Sequence, residues 1–131
     1  MEAKFLLIIL IAQAIPSFAQ SIAKNDALSI KNTECAAFYS VMTSLVKPEK
    51  KAEYTNKYEL HKNYGVALHD SPQSYDDRFH GFKIGLTENL NGAKVPEDKS
   101  QILSRTMVTC YTIESHTSLL INQPKPQSQR K

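Results

Sequence analysis

The sequence predicts an all-α protein, a small four-helix up-down bundle closed by one disulfide bond between its first and last helices. Apolar residues recur at steps of three and four in four successive segments, the spacing that gathers them on one face of a helix. Proline, glycine and asparagine separate these segments, and no run of alternating apolar and polar residues competes with them. The only two cysteines lie in the first and the last segment. Short connections favour helices that run antiparallel to their neighbours along the chain.

The chain begins with a predicted secretory signal peptide. Lys4 precedes an apolar run from Phe5 to Ala12, and Ser17 and Ala19 are small residues three and one positions before a cleavage point. The run is about half of the ~20 residues that a bilayer-spanning helix needs. We therefore expect cleavage after Ala19 and a secreted or periplasmic protein without a membrane span once the leader is removed.

The predicted export of the chain indicates that its two cysteines are bonded to each other. In an oxidising compartment an even count of cysteines indicates disulfide bonding, and two cysteines allow a single intramolecular pairing. Cys35 and Cys110 fall on the apolar stripes of the predicted first and last helices. Those two helices lie side by side in an up-down bundle of four, so we predict a bond between Cys35 and Cys110.

The charge balance indicates a basic tail and not a nucleic-acid-binding face. The formal net charge is +3, with 41% hydrophobic and 22% charged residues, an ordinary globular composition that excludes wholesale disorder. Lys125, Arg130 and Lys131 place three positive charges near the end, so the rest of the chain is neutral and we expect no nucleic-acid partner. The predicted units are a signal peptide, residues 1–19, a single helical domain, residues 20–121, and a flexible basic tail, residues 122–131.

The first helix is predicted from Thr33 onwards, with Asn32 or Thr33 as its N-cap and Pro48 beyond its end. The residues before Asn32 leave two alternatives, an irregular lead-in or an earlier helical turn that starts at Asn25 or Asp26. The apolar stripe of this helix consists of Cys35, Phe38, Met42 and Leu45.

Proline marks the start of each of the other three helices, where its missing N–H donor does no harm. Asn91-Gly92 is a pair typical of a helix C-terminus, and Gly65 is a candidate bend in the second helix. The second helix is predicted from Pro48 to about His69, the third from Pro72 to Gly92, and the fourth from Pro96 until Pro124 closes it. Their apolar stripes are Tyr54, Tyr58, His61 and Leu68, then Tyr75, Phe79, Phe82, Leu86 and Leu90, and finally Leu103, either Met107 or Thr106, Cys110, Ile113, Thr117 and Leu120.

Motifs for catalysis and for metal binding are not assembled in the sequence. No two of the four histidines have the spacing of a helical metal site, and the Cys-x-x-Cys-His and Gly-x-Ser-x-Gly motifs are absent. No pair of carboxylates stands out as a glycosidase pair. We therefore predict no catalytic residue, no metal ligand and no cofactor.

Two alternatives to a purely binding role remain. One is a cofactor-binding helical bundle for haem or a metal, in which Met42 and His116 would be the axial ligands of the haem. The other is a small cell-wall-acting enzyme, for which the sequence identifies no catalytic pair.

A candidate partner surface consists of two groups of residues. Gly81 and Gly85 lie one turn apart in the third helix, where they mark either a close helix crossing, a tolerated exposed face or a flattened groove for a partner helix. Tyr54, Tyr58 and His61 share one side of the second helix, and tyrosine suits half-wet binding surfaces. We expect a small exported non-catalytic protein that acts by binding a protein or small-molecule partner, of the inhibitor, immunity or adaptor type.

Overall fold

The computed structural model describes residues 24–69 and 71–123, and these form four helices. The predicted signal peptide, residues 1–19, and residues 124–131 of the predicted tail lie outside the described residues. The predicted fold class, a small all-α bundle with a disulfide bond between its first and last helices, is confirmed. The helices are α1 (Asp26–Leu45), α2 (Pro48–Leu68), α3 (Pro72–Gly92) and α4 (Pro96–Ile121).

Successive helices run in alternating directions. The backbone N–H of Asn25, just before α1, donates to the carbonyl of Leu68 at the end of α2, over 3.1 Å. The same end of α1 lies beside the end of α4, because Asn32 bonds to Thr117. This arrangement is the predicted up-down topology.

α1 lies at the centre of the bundle. It packs against each of the other three helices along its length, whereas those three helices meet one another at few positions. Its buried residues accordingly lie on several sides of the helix and not on one stripe. They are Ser29, Asn32, Thr33, Cys35, Ala36, Ala37, Phe38, Tyr39, Val41 and Met42.

The disulfide bond joins α4 to the central helix. The Cα atoms of Cys35 and Cys110 are 5.6 Å apart, and both side chains are buried. The bond closes a loop with a sequence separation of 75 residues. A loop of this length stabilises the folded chain by roughly 4.5 kcal/mol in the chain-entropy model.

The start of α1 differs from the prediction that begins it at Thr33. Asn25 is the N-cap, and its side-chain oxygen accepts a hydrogen bond from the Leu28 N–H over 3.0 Å. The alternative of an earlier helical turn is therefore the correct one. Asn32 and Thr33, predicted as caps, are fully buried inside the helix, where neighbouring groups satisfy their side chains.

Gly65 does not interrupt α2, which is continuous from Pro48 to Leu68. A Cβ atom at this position would lie 2.7 Å from Cε2 of Tyr75 and 3.0 Å from Oγ1 of Thr33. The glycine therefore allows the aromatic ring of α3 to approach the backbone of α2. The Ser29 hydroxyl donates to the Gly65 carbonyl over 2.7 Å and ties α1 to the same point.

Candidate functional site

Gly81 and Gly85 face open space on α3. Among the residues that the structure describes, a Cβ atom at either position would meet nothing within 4 Å beyond its own turn of helix. A close helix crossing therefore does not explain these glycines. They leave a flat stretch of helix backbone beside the contact of α3 with α1.

An open cavity of about 260 Å³ lies next to this stretch, between α1, α3 and α4. It combines bare backbone with aromatic and aliphatic side chains from three helices, and the polar side chains of Glu34, Asn89 and Thr106 also line it. We call it the glycine groove and define it by Phe38, Gly81, Phe82, Gly85, Leu86 and Ile102.

Tyr54 and Tyr58, predicted as part of the same surface, lie elsewhere. Both are half-buried on α2, which contributes no residue to the glycine groove. The Tyr54 ring packs 5.8 Å from the Tyr39 ring, and the Tyr58 ring packs 5.9 Å from the Phe79 ring. The two tyrosines cover the core, and the structure does not bring them together with the glycines.

His61 is completely buried and is not on the surface of the protein. Its Nδ1 atom lies 2.8 Å from Oδ1 of Asn32. The Asn32 amide nitrogen donates to the Thr117 hydroxyl over 2.8 Å and to the Leu28 carbonyl over 2.9 Å. The Thr117 hydroxyl donates in turn to the Ile113 carbonyl over 2.7 Å. This polar cluster of His61, Asn32 and Thr117 connects α2, α1 and α4 inside the core.

The hydrogen bonds of the polar cluster determine the tautomer of His61. Because Oδ1 of Asn32 can only accept, Nδ1 of His61 carries the proton and donates it. Nε2 is then an acceptor, and it is buried without a partner in the described part of the chain. Burial lowers the pKa of His61 to about 4, with Glu114 opposing this shift and Lys57 adding to it.

The polar cluster is not among the residues that the sequence singled out as a group. The available signal is the position of Asn32 three residues before Cys35, in register with the apolar stripe. A neutral imidazole is a competent general base in principle. His61 has no solvent-exposed surface, and its hydrogen bond to Asn32 connects α2 to α1.

A second polar connection joins α2 to α4 nearer the surface. The Lys57 ammonium group contacts both carboxylate oxygens of Glu114, at 2.8 and 2.7 Å, and lies 5.4 Å from the centre of the Tyr111 ring. Tyr39 is buried in the core, and this burial raises the pKa of its phenol well above the usual range. Lys57 and Glu114 are each other's partners, which indicates a structural role for this pair.

Met42 and His116, the ligand pair of the haem alternative, do not approach each other. Met42 is buried and belongs to the same core cluster as Leu103 and Met107. His116 is exposed and is adjacent to Thr117, which contacts Asn32. Asn32 and Met42 are ten residues apart on α1, or about 15 Å along the helix axis.

Within residues 24–69 and 71–123, no three histidine, cysteine or acidic side chains come close enough together to hold a metal ion. None of the four helices there combines the length and the apolar character that crossing a membrane requires. Comparison of the chain with protein-family models, with curated proteins and with solved structures finds no match.

Proposed function

We propose that this chain is a small exported protein without catalysis of its own, which acts by binding the apolar face of a helix from a partner protein in the glycine groove. The observation that carries the proposal is the open space at Gly81 and Gly85. A glycine inside a helix costs about 1 kcal/mol relative to alanine. At both positions, no close contact with another helix of the described chain offsets this cost.

The surroundings of the two glycines support a helix as the occupant. Phe38, Leu86 and Ile102 line the groove with apolar side chains from three different helices. Helix-in-groove recognition uses an apolar stripe on the incoming helix. Because Gly81 and Gly85 have no side chains, such a helix can approach the backbone of α3 closely.

The buried disulfide is consistent with an oxidising, exported compartment. Together with the predicted leader, it supports a periplasmic or secreted location. The same location is where an inhibitor, an immunity protein or an adaptor of an exported partner would act.

The experiment compares the capture of partners by the exported, disulfide-bonded chain and by two variants. Gly81→Leu with Gly85→Leu fills the groove, whereas Gly92→Leu adds the same side chain at another open position of α3. We expect a cross-linked partner to be retained by the wild-type chain and by Gly92→Leu, and to be lost from the groove variant. Urea unfolding of all three chains establishes that the groove variant is folded. Equal capture by the folded groove variant would show that the partner binds elsewhere or not at all.

A further inference from the structure

A second cavity, of about 300 Å³, lies among α1, α3 and α4 and shares no residue with the glycine groove. It lies where α1 and α3 end and α4 begins. Its lining includes Val41 and Leu90, which are buried, and Leu103, which is partly buried. The volume is at the lower end of the ~300–1,000 Å³ that small-molecule sites occupy.

The charged groups of this cavity all have one sign. Lys83 of α3 and Lys99 of α4 both line it, and no carboxylate of residues 24–69 or 71–123 does. Neither lysine forms an ion pair with any part of the chain that the structure describes. We call this site the lysine cavity and define it by Val41, Lys83, Leu90, Lys99 and Leu103.

Besides the lysines, the lining offers the hydroxyl groups of Ser40, Ser44 and Thr87 and the side-chain amide of Asn91. The Ser44 hydroxyl donates to the Val41 carbonyl over 2.6 Å, and the Thr87 hydroxyl donates to the Lys83 carbonyl over 2.8 Å. Both of these hydroxyl protons are used within their own helices, which leaves the Ser40 hydroxyl and the Asn91 amide as neutral donors beside the two lysines. Two lysine side chains and apolar side chains in one lining offer complementary contacts to a molecule with an anionic head and an apolar body.

A neighbouring open cavity indicates the shape of the apolar body. It measures about 480 Å³ and shares Lys99 and Leu103 with the lysine cavity. Met42 and Met107 line it, and methionine side chains adapt to flexible apolar ligands. An unbranched chain that starts between the lysines can pass over Leu103 towards these methionines.

We infer that the lysine cavity binds a single-chain aliphatic carboxylate, with the carboxylate between Lys83 and Lys99 and the hydrocarbon chain over Val41, Leu90 and Leu103. This binding site is separate from the glycine groove. A negative result for the lysine cavity would not contradict the proposal for the glycine groove, and the reverse also holds.

The test is calorimetric titration of the exported, disulfide-bonded chain with decanoate below its micellar concentration. Two further ligands separate the contributions, since decanol keeps the hydrocarbon chain without the charge and propionate keeps the charge without the chain. We expect saturable one-to-one binding of decanoate, and affinities at least tenfold lower for decanol and for propionate. Equal affinity for decanol, or no saturable binding of decanoate, overturns the inference.

Substitutions locate the site. Lys83→Gln with Lys99→Gln is expected to weaken decanoate binding about tenfold, which corresponds to ~1.4 kcal/mol. The matched control is Lys31→Gln with Lys51→Gln, which removes two positive charges from exposed positions outside both cavities. Arginine at positions 83 and 99 keeps the charge and is expected to retain binding. Equal weakening by the control pair would show a general charge effect and would contradict this site.

Discussion

At the scale of single residues, His61 makes the stability of the fold depend on pH. Its folded-state pKa of about 4 lies below the ordinary value of 6.5. Between these two values the unfolded chain binds a proton that the folded chain does not, so stability rises with pH. The contribution of neutral His61 to the free energy of unfolding is fully present above pH 6.5 and is lost as the pH falls towards 4.

We expect the His61 contribution to fall by about 2 kcal/mol between pH 7 and pH 5. The measurement is urea unfolding at both pH values for the wild-type chain and for His61→Gln. Glutamine keeps a donor for Asn32 but does not titrate. The variant should therefore lose less stability than the wild type over this range, and an equal loss in both chains would assign the effect to other groups.

Substitution of glycine by alanine should have opposite effects on stability at Gly65 and at Gly85. Gly65→Ala places a methyl group against the buried Tyr75 ring, with an expected loss of about 1–2 kcal/mol after the gain in helix propensity. Gly85→Ala meets open space and should gain up to ~1 kcal/mol. Chemical denaturation of both variants provides the comparison. A gain in stability for Gly65→Ala would mean that the Tyr75 ring can move aside.

At the scale of helices, the prolines and the glycine at helix ends predict most of the helix boundaries. Pro48, Pro72 and Pro96 each begin a helix, and Gly92 ends one, as predicted. These signals are local because each proline or glycine acts through its own backbone.

Asn32 and Thr33 show where such local prediction fails. A polar pair ahead of an apolar stripe is typical of a helix start. In the fold, Thr117 of α4 and His61 of α2 satisfy Asn32, so the helix continues through it. The partners of Asn32 are 29 and 85 residues away along the chain, a distance that no local pattern covers.

The candidate site was predicted only in part for the same reason. The spacing of Gly81 and Gly85 places them on one face of α3, and this much is visible in the sequence. The side chains that complete the groove come from α1 and α4, and the burial of His61 depends on α1. Neither follows from the periodicity of a single helix.

The connection between α2 and α4 gives a prediction at the same scale. Lys57 and Glu114 form a half-buried pair with two contacts, whereas Lys50 and Glu53 form an exposed pair within one helix. Glu114→Gln should lower the free energy of unfolding by about 1 kcal/mol. Glu53→Gln is the control and should cause no measurable loss. Similar effects of the two substitutions on the urea midpoint would contradict a specific role for the pair between helices.

At the scale of the whole molecule, α1 is the central helix, and the other three helices pack mainly against it. α4 shares less contact with α1 than α2 or α3 does. The disulfide bond and the polar cluster are therefore large parts of its attachment. We therefore expect loss of the disulfide bond to have two effects. It should lower the free energy of unfolding of the whole chain, and it should loosen α4 more than the other helices.

Removing the bond by Cys35→Ala with Cys110→Ala should cost about 4 kcal/mol, which is comparable to the ~5–15 kcal/mol net stability of a small domain. The loss should be uneven, because α2 and α3 keep their own contacts with α1. Hydrogen exchange of the variant at neutral pH should show a larger drop in protection in α4 than in α2. Urea unfolding of the same chain measures the total loss. Uniform loss of protection over all four helices would mean that the bundle opens as one unit, and that the disulfide stabilises it without holding α4 in particular.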